Sequence, residues 1–214
     1  MRMRGLYAIT PEVDDTALLC AKVAAALEGG AAAIQYRNKH APASVRETQA
    51  FALARLHAAR GALYIVNDDP ALAANVGADG VHIGEDDASI VSARELLGPE
   101  RIIGVSCNND FVRAQAAVDA GADYVAFGSF FASPTKPNAR RADIALLQRA
   151  RALDVPIVAI GGIDADNARV VIDAGADAVA VIQAVFGHGD PADVKAAAEA
   201  IVASMTMRSP RRTS

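Results

Sequence analysis

Two kinds of segment alternate along the whole chain. Short apolar or β-branched runs occur at 6–10 (LYAIT), 32–37 (AAIQYR), 62–67 (ALYIVN), 80–84 (GVHIG), 101–106 (RIIGVS), 123–128 (DYVAFG), 156–161 (PIVAIG) and 177–182 (DAVAVI). Between them lie Ala-rich amphipathic stretches of helical length, among them 13–28, 44–60, 110–120 and 190–204. Such alternation predicts βα units and a parallel sheet. Eight units make a closed barrel, so the expected fold is α/β, a single-domain (β/α)8 TIM barrel over residues 1–204. A doubly wound sheet is the alternative; it has fewer strands and a reversal of strand order. The triplet GAD recurs before a strand at 77–79, 121–123 and 175–177, with GGA at 29–31 a degenerate version. There a glycine ends a helix in the left-handed region and a strand follows, which supports the fold and says nothing about the reaction. Residues 205–214 (MTMRSPRRTS) are polar, basic and aperiodic, and read as a disordered tail.

Composition narrows the class. Hydrophobic residues make up 52% and the formal net charge is −4, which excludes global disorder and argues against a general nucleic-acid binder. Two cysteines are too few for a disulfide framework or a structural zinc site, so a reduced, cytoplasmic protein is expected. No apolar run reaches the roughly 18 residues of a spanning helix, and the N-terminus has no h-region, so no membrane partner is expected. The Ala-rich outer helical faces leave a homo-oligomer open.

In a parallel barrel the chemistry lies at the C-terminal ends of the strands. The second strand ends Gln35-Tyr36-Arg37-Asn38-Lys39. Alternation puts Gln35, Arg37 and Lys39 on one face and Ile34 and Tyr36 on the other, so an amide and two cations face the barrel mouth, as anion binding requires. An exposed charged loop would account for Lys39 but not for the alternation. The third and fourth strands end Asn67-Asp68-Asp69 and Gly84-Glu85-Asp86-Asp87. Carboxylates on adjacent strands beside cations suit Mg²⁺ held against a substrate phosphate, although Asp69-Pro70 also reads as a helix start. Ser106 closes the fifth strand as a hydrogen-bonding group rather than a nucleophile, and Cys107 reads as a bystander thiol. After the sixth strand, Ser133, Thr135 and Lys136 suit a phosphate, as would an ordinary Ser/Pro turn, and 130–140 is a candidate lid. Gly161-Gly162 after the seventh strand, and Ile182-Gln183 after the eighth, occupy the usual phosphate-binding corner of such barrels. Of the four histidines, His57 reads as a surface helix residue and His82 as a packed, hydrogen-bonded one. None has metal-ligand spacing, so histidine acid–base catalysis is not the leading idea. The rim suits two phosphorylated small molecules, one of them a diphosphate.

Taken in order, QYRNK (35–39), VNDD (66–69), GADGVHIGEDD (77–87), IIGVS (102–106), YVAFGSFFASPTKP (124–137), AIGGI (159–163) and AVIQAVFG (180–187) resemble the thiamine-phosphate synthases, proteobacterial type, over roughly 5–190. The resemblance implies a transferase that joins a hydroxymethylpyrimidine diphosphate to a thiazole phosphate and releases pyrophosphate. In that family the diphosphate leaves first, and the thiazole nitrogen captures the pyrimidine cation. It implies that Gln35, Arg37 and Lys39, with Asn67 and Lys136, hold the pyrimidine diphosphate, within a substrate-binding segment that includes Tyr36 and Asn38. It implies one Mg²⁺ per site on Asp68 and Asp87. Ser106 would contact the pyrimidine, and Ser133, Pro134, Thr135, Gly162, Ile182 and Gln183 would surround the thiazole phosphate. Ser106, Lys136 and Arg37 are the expected catalytic residues. Asn38 stands where an acid is usual, Ser133 where Thr is frequent, and Gln183 where Ser is frequent. Cys107-Asn108-Asn109 replaces a stretch that often holds a histidine, and the thiazole tautomerases, a paralogous group, rely on that histidine. A tautomerase is therefore the weaker enzyme alternative. A non-catalytic phosphate-binding barrel is a further alternative, against which the retained carboxylates and cations argue. A sugar-phosphate isomerase or epimerase would want a paired acid and base at the rim, which is lacking.

Overall fold

The computed structural model describes residues 3–58, 60–84, 89–132 and 141–206. Eight parallel strands pair in chain order and β8 closes on β1, giving the (β/α)8 barrel that the alternation predicts. The strands are β1 (Gly5–Ile9), β2 (Ala33–Tyr36), β3 (Leu63–Asn67), β4 (Gly80–Ile83), β5 (Ile102–Asn108), β6 (Tyr124–Phe127), β7 (Ile157–Ile160) and β8 (Ala178–Val181). The helices are α1 (Thr16–Glu28), α2 (Ala43–Ala58), α3 (Pro70–Val76), α4 (Ile90–Leu97), α5 (Phe111–Asp119), α6 (Ile144–Ala150), α7 (Ala168–Ala174), α8 (Gln183–Phe186) and α9 (Pro191–Thr206).

Both faces of every strand are covered, which is why the strands read as continuous apolar runs. Odd and even positions part cleanly. Tyr7, Ile9, Ala33, Leu63, Ile65, Tyr124, Ala126, Val158, Ala178 and Ala180 fill the barrel interior. Leu6, Ala8, Ile34, Tyr36, Tyr64, Val66, Val81, Val125 and Val179 face the helical layer. Small residues on β2 and β8 leave room inside for the tyrosines of β1 and β6.

Several helices start where short acceptors stand. Asp15 accepts hydrogen bonds from the amides of Ala17 and Leu18, Asp110 from those of Val112 and Arg113, and Asp69 from that of Leu72 at 2.9 Å. At the opposite end of the barrel the GAD triplets do more than stop helices. Asp79, Asp123 and Asp177 each exchange two hydrogen bonds with a neighbouring strand. The Asp amide donates to the carbonyl of Tyr64, Ile103 or Ile157, and the Asp carboxylate accepts from the same residue's amide.

Two expectations are adjusted. Helix α9 runs to Thr206, and Arg169 donates to the carbonyl of Met205 at 3.1 Å, so Met205 and Thr206 belong to the helix. The remainder of the basic tail, 207–214, lies outside the described residues. His57 is not a free surface residue. It lies over the Tyr64 ring at 5.2 Å and its Nδ1 is 3.2 Å from the carbonyl of Ala62, and burial lowers its pKa. Among the described residues no helix is long and apolar enough to cross a membrane.

Candidate active site

The C-terminal strand ends gather most of the polar chemistry. On β2, Gln35 is 2% exposed and points into the barrel, where its Nε2 donates to the Tyr7 hydroxyl at 2.6 Å. Arg37 follows at the mouth. Its amide donates to Thr10 Oγ1 at 2.9 Å, and its guanidinium is 2.8 Å from Glu12 Oε1. Lys39 Nζ is 2.7 Å from Asp68 Oδ2, which ties the β2 end to the β3 end. Both cations thus rest on carboxylates of the chain itself. Such partly exposed pairs are each worth about 0–1 kcal/mol, so they hold the two cations in place only loosely.

The two aspartates after β3 divide their work. Asp69 caps α3, with Pro70 at the first helical position. Asp68 has φ 60°, a left-handed conformation that Asp tolerates better than most residues. Its carboxylate accepts from Asn67 Nδ2 at 2.6 Å and from the Gly84 amide at 3.3 Å. Asp68 therefore sits at the rim, with donors from β2, β3 and the end of β4 around it. Glu85, Asp86 and Asp87 lie outside the described residues, and among the described ones no three His, Cys, Asp or Glu side chains gather as a metal site. A single rim carboxylate still suits Mg²⁺, which is bound through one or two carboxylates plus substrate phosphates.

Strand β5 carries an irregularity between Ser106 and Asn108, and Asn108 has φ 49°. Arg113 on α5 holds this end, its Nε donating to the Ser106 carbonyl at 2.9 Å and its Nη2 to that of Gly84 at 3.4 Å. The Ser106 hydroxyl is 2.9 Å from His82 Nε2, and His82 Nδ1 is 2.9 Å from the Tyr124 hydroxyl. Tyr124 in turn lies 3.0 Å from the Tyr7 hydroxyl. Burial holds the His82 pKa down, to about 4, against the opposing pull of Asp68, so the ring is neutral at physiological pH. Cys107 faces the helical layer, and burial pushes its thiol up to about 12, which fits a bystander.

At the β7 and β8 ends, Gly161 and Gly162 have φ of 102° and 66°. A Cβ on Gly162 would overlap the carbonyl of Ala132, so this glycine lets the end of the β6 loop lie against the β7 loop. Asn167 Nδ2 fixes the turn by donating to the Gly162 carbonyl at 3.0 Å. Ile182 precedes α8, and Gln183, its first residue, is exposed.

A model of the family described as thiamine monophosphate synthase matches residues 6–185. The chain belongs to that family. Thiamine monophosphate synthase relatives include the thiamine-phosphate synthase of Thiobacillus denitrificans, 56% identical over 91% of each chain. That of Methylobacillus flagellatus is 54% identical, over 88% of this chain and 90% of its own. Among solved structures, the thiamine phosphate pyrophosphorylase from Pyrococcus furiosus superposes with a TM-score of 0.82 at 38% identity, covering 94% of this chain and 95% of that one. The chain is thus an enzyme of the synthase family, a transferase.

Within this family member, the structure brings Gln35, Arg37, Lys39, Asn67, Asp68 and Ser106 to one end of the barrel, across β2 to β5. Gly162, Ile182 and Gln183 lie at the same end on β7 and β8. Two residues of the binding segment turn elsewhere. The Tyr36 hydroxyl donates to Gln49 Oε1 of α2 at 2.9 Å, and Asn38 Nδ2 donates to the same oxygen at 3.2 Å. Gln49 is fully buried, and alternation carries positions 36 and 38 outward together. Their side chains therefore fix α2 to the β2 end instead of facing the mouth. Asp87, Ser133, Pro134, Thr135 and Lys136 lie outside the described residues, as does most of the candidate lid at 130–140. Sequence reading passed over Thr10, Glu12, Tyr7 and Tyr124. Only the tyrosines left a signal, as large polar side chains at interior positions of otherwise small or aliphatic strands.

Proposed function

We propose that the chain makes thiamine phosphate by joining a hydroxymethylpyrimidine diphosphate to a thiazole phosphate, with release of pyrophosphate. The observation that carries this reading is the gathering of Gln35, Arg37, Lys39, Asp68 and Ser106 at one strand-end face in a member of the synthase family. In the reaction the bond between the pyrimidine methylene carbon and the diphosphate oxygen breaks, and its electron pair leaves with pyrophosphate. The resulting pyrimidine cation accepts the lone pair of the thiazole nitrogen. No proton transfer is required in either step, so the site needs charge stabilisation and placement more than a general base.

Arg37 and Lys39 neutralise charge that grows on the departing diphosphate, with Asn67 and Lys136 as further donors. Asp68 and Asp87 would hold Mg²⁺, one ion per site, which when bound supplies positive charge to the diphosphate. Ser106 contacts the pyrimidine, and Ser133, Thr135, Gly162, Ile182 and Gln183 surround the thiazole phosphate. Substitution Asp68→Ala tests the reading, because Asp68 both anchors Lys39 and offers the rim carboxylate. The expected result is a loss of about 100-fold or more in kcat/KM with the fold intact. Wild-type turnover of Asp68→Ala at limiting Mg²⁺ would overturn the assignment.

A further inference from the structure

Five side chains form one continuous hydrogen-bonded chain across the barrel interior. Gln35 Nε2 meets the Tyr7 hydroxyl at 2.6 Å, and Tyr7 meets Tyr124 at 3.0 Å. Tyr124 meets His82 Nδ1 at 2.9 Å, and His82 Nε2 meets the Ser106 hydroxyl at 2.9 Å. Gln35, Tyr7, Tyr124 and His82 are buried, with exposures of 2%, 1%, 0% and 7%. Only the two ends approach the mouth. At this burial each hydroxyl and ring proton finds its acceptor among the side chains it already meets.

That condition gives the chain one direction. The amide nitrogen of Gln35 donates and cannot accept, so the Tyr7 proton goes to Tyr124. Tyr124 then has one open acceptor, His82 Nδ1, and donates to it. With Nδ1 accepting from Tyr124, the imidazole carries its proton on Nε2 and donates it to Ser106 Oγ. The hydroxyl hydrogen of Ser106 is left over, and the side chain is half-exposed at the strand end. The packing preserves this order. His82, Gly104 and Tyr124 stand side by side on β4, β5 and β6, and the His82 and Tyr124 rings stack at 5.6 Å and 22°.

We propose that Tyr7 and Tyr124 are positioning residues that hold His82 in its Nε2–H tautomer, and so leave Ser106 as a hydrogen-bond donor to the bound substrate. The proposal rests on the synthase reading for what Ser106 meets, but the direction of the chain is a property of the unliganded protein. It ties the pyrimidine contact on β5 to the amide on β2, on the far side of the interior. None of the intervening groups has to touch substrate.

The first test is the ¹⁵N NMR spectrum of the full chain labelled at histidine, without ligand. The His82 signals are assigned by their loss in His82→Gln. A protonated Nε2 and a bare Nδ1 are expected in the wild type, and a proton on Nδ1 would overturn the proposal whatever the enzyme's activity. The second test is Tyr124→Phe, which keeps the ring and removes the relay hydroxyl. Loss of the single His82 tautomer is expected, with kcat down about tenfold while KM for the pyrimidine diphosphate changes little. An unchanged tautomer together with an unchanged kcat would overturn the proposal. Tyr7→Phe is the second variant, with the same expectation. Should the chain prove inactive towards these substrates, the synthase reading fails while the tautomer result still decides the direction of the relay.

Discussion

Gly104 separates His82 from Tyr124 along one lateral row of the sheet, and its hydrogen is what lets the two rings meet. A Cβ at this position would overlap the Tyr124 ring itself, not the far end of a flexible chain. We predict that Gly104→Ala destabilises the fold by about 1–3 kcal/mol, read as a lowered Tm, because the displaced ring has no space in a packed interior. An unchanged Tm would mean that the tyrosine has a second resting place and that the row is less confined than the packing implies. The same residue-scale economy operates after β3. One aspartate caps a helix and its neighbour, with φ 60°, faces the rim. Adjacent identical residues thus serve stability and chemistry separately, a division that composition cannot reveal.

At the scale of elements, the GAD triplets explain how a short chain closes eight strands. The glycine ends a helix, the alanine is buried, and the aspartate extends the ladder of a neighbouring strand by a reciprocal pair of hydrogen bonds. Asp177→Ala removes the acceptor for the Ile157 amide, which lies 2.9 Å from its carboxylate. The expected cost is about 1–3 kcal/mol in stability, measured by denaturant titration, with kcat at saturating substrate unchanged because this end is opposite the mouth. A fall in kcat without loss of stability would contradict that separation. Strands and long helices were legible in the sequence because both faces of each strand are buried and several helices start at a capping residue such as Asp15 or Asp110. Helix α8 was not, since four residues show no period. The ladder role of the GAD aspartates was also hidden, because a glycine signals its turn locally while the partner strand is set by the closed sheet.

Across the whole molecule, the polar strand ends and the GAD ladders lie at opposite ends of the barrel, and the interior chain of hydrogen bonds crosses between β2 and β5 beneath the mouth. The cations Arg37 and Lys39 stand at strand ends of a protein with a net charge of −4, each beside a carboxylate of the chain itself. Their placement was readable from the alternation at Gln35, Arg37 and Lys39, which depends only on strand parity. The outward turn of Tyr36 and Asn38 obeys the same parity. The relay was not readable, because Tyr7, His82 and Tyr124 are far apart in the chain and meet only once the barrel closes. The most direct measurement of the central claim is pyrophosphate release by the purified chain with Mg²⁺, pyrimidine diphosphate and thiazole phosphate, omitting one component at a time. The account predicts release that needs all three, with one thiamine phosphate formed for each pyrophosphate. Binding of both substrates without any thiamine phosphate formed would contradict it.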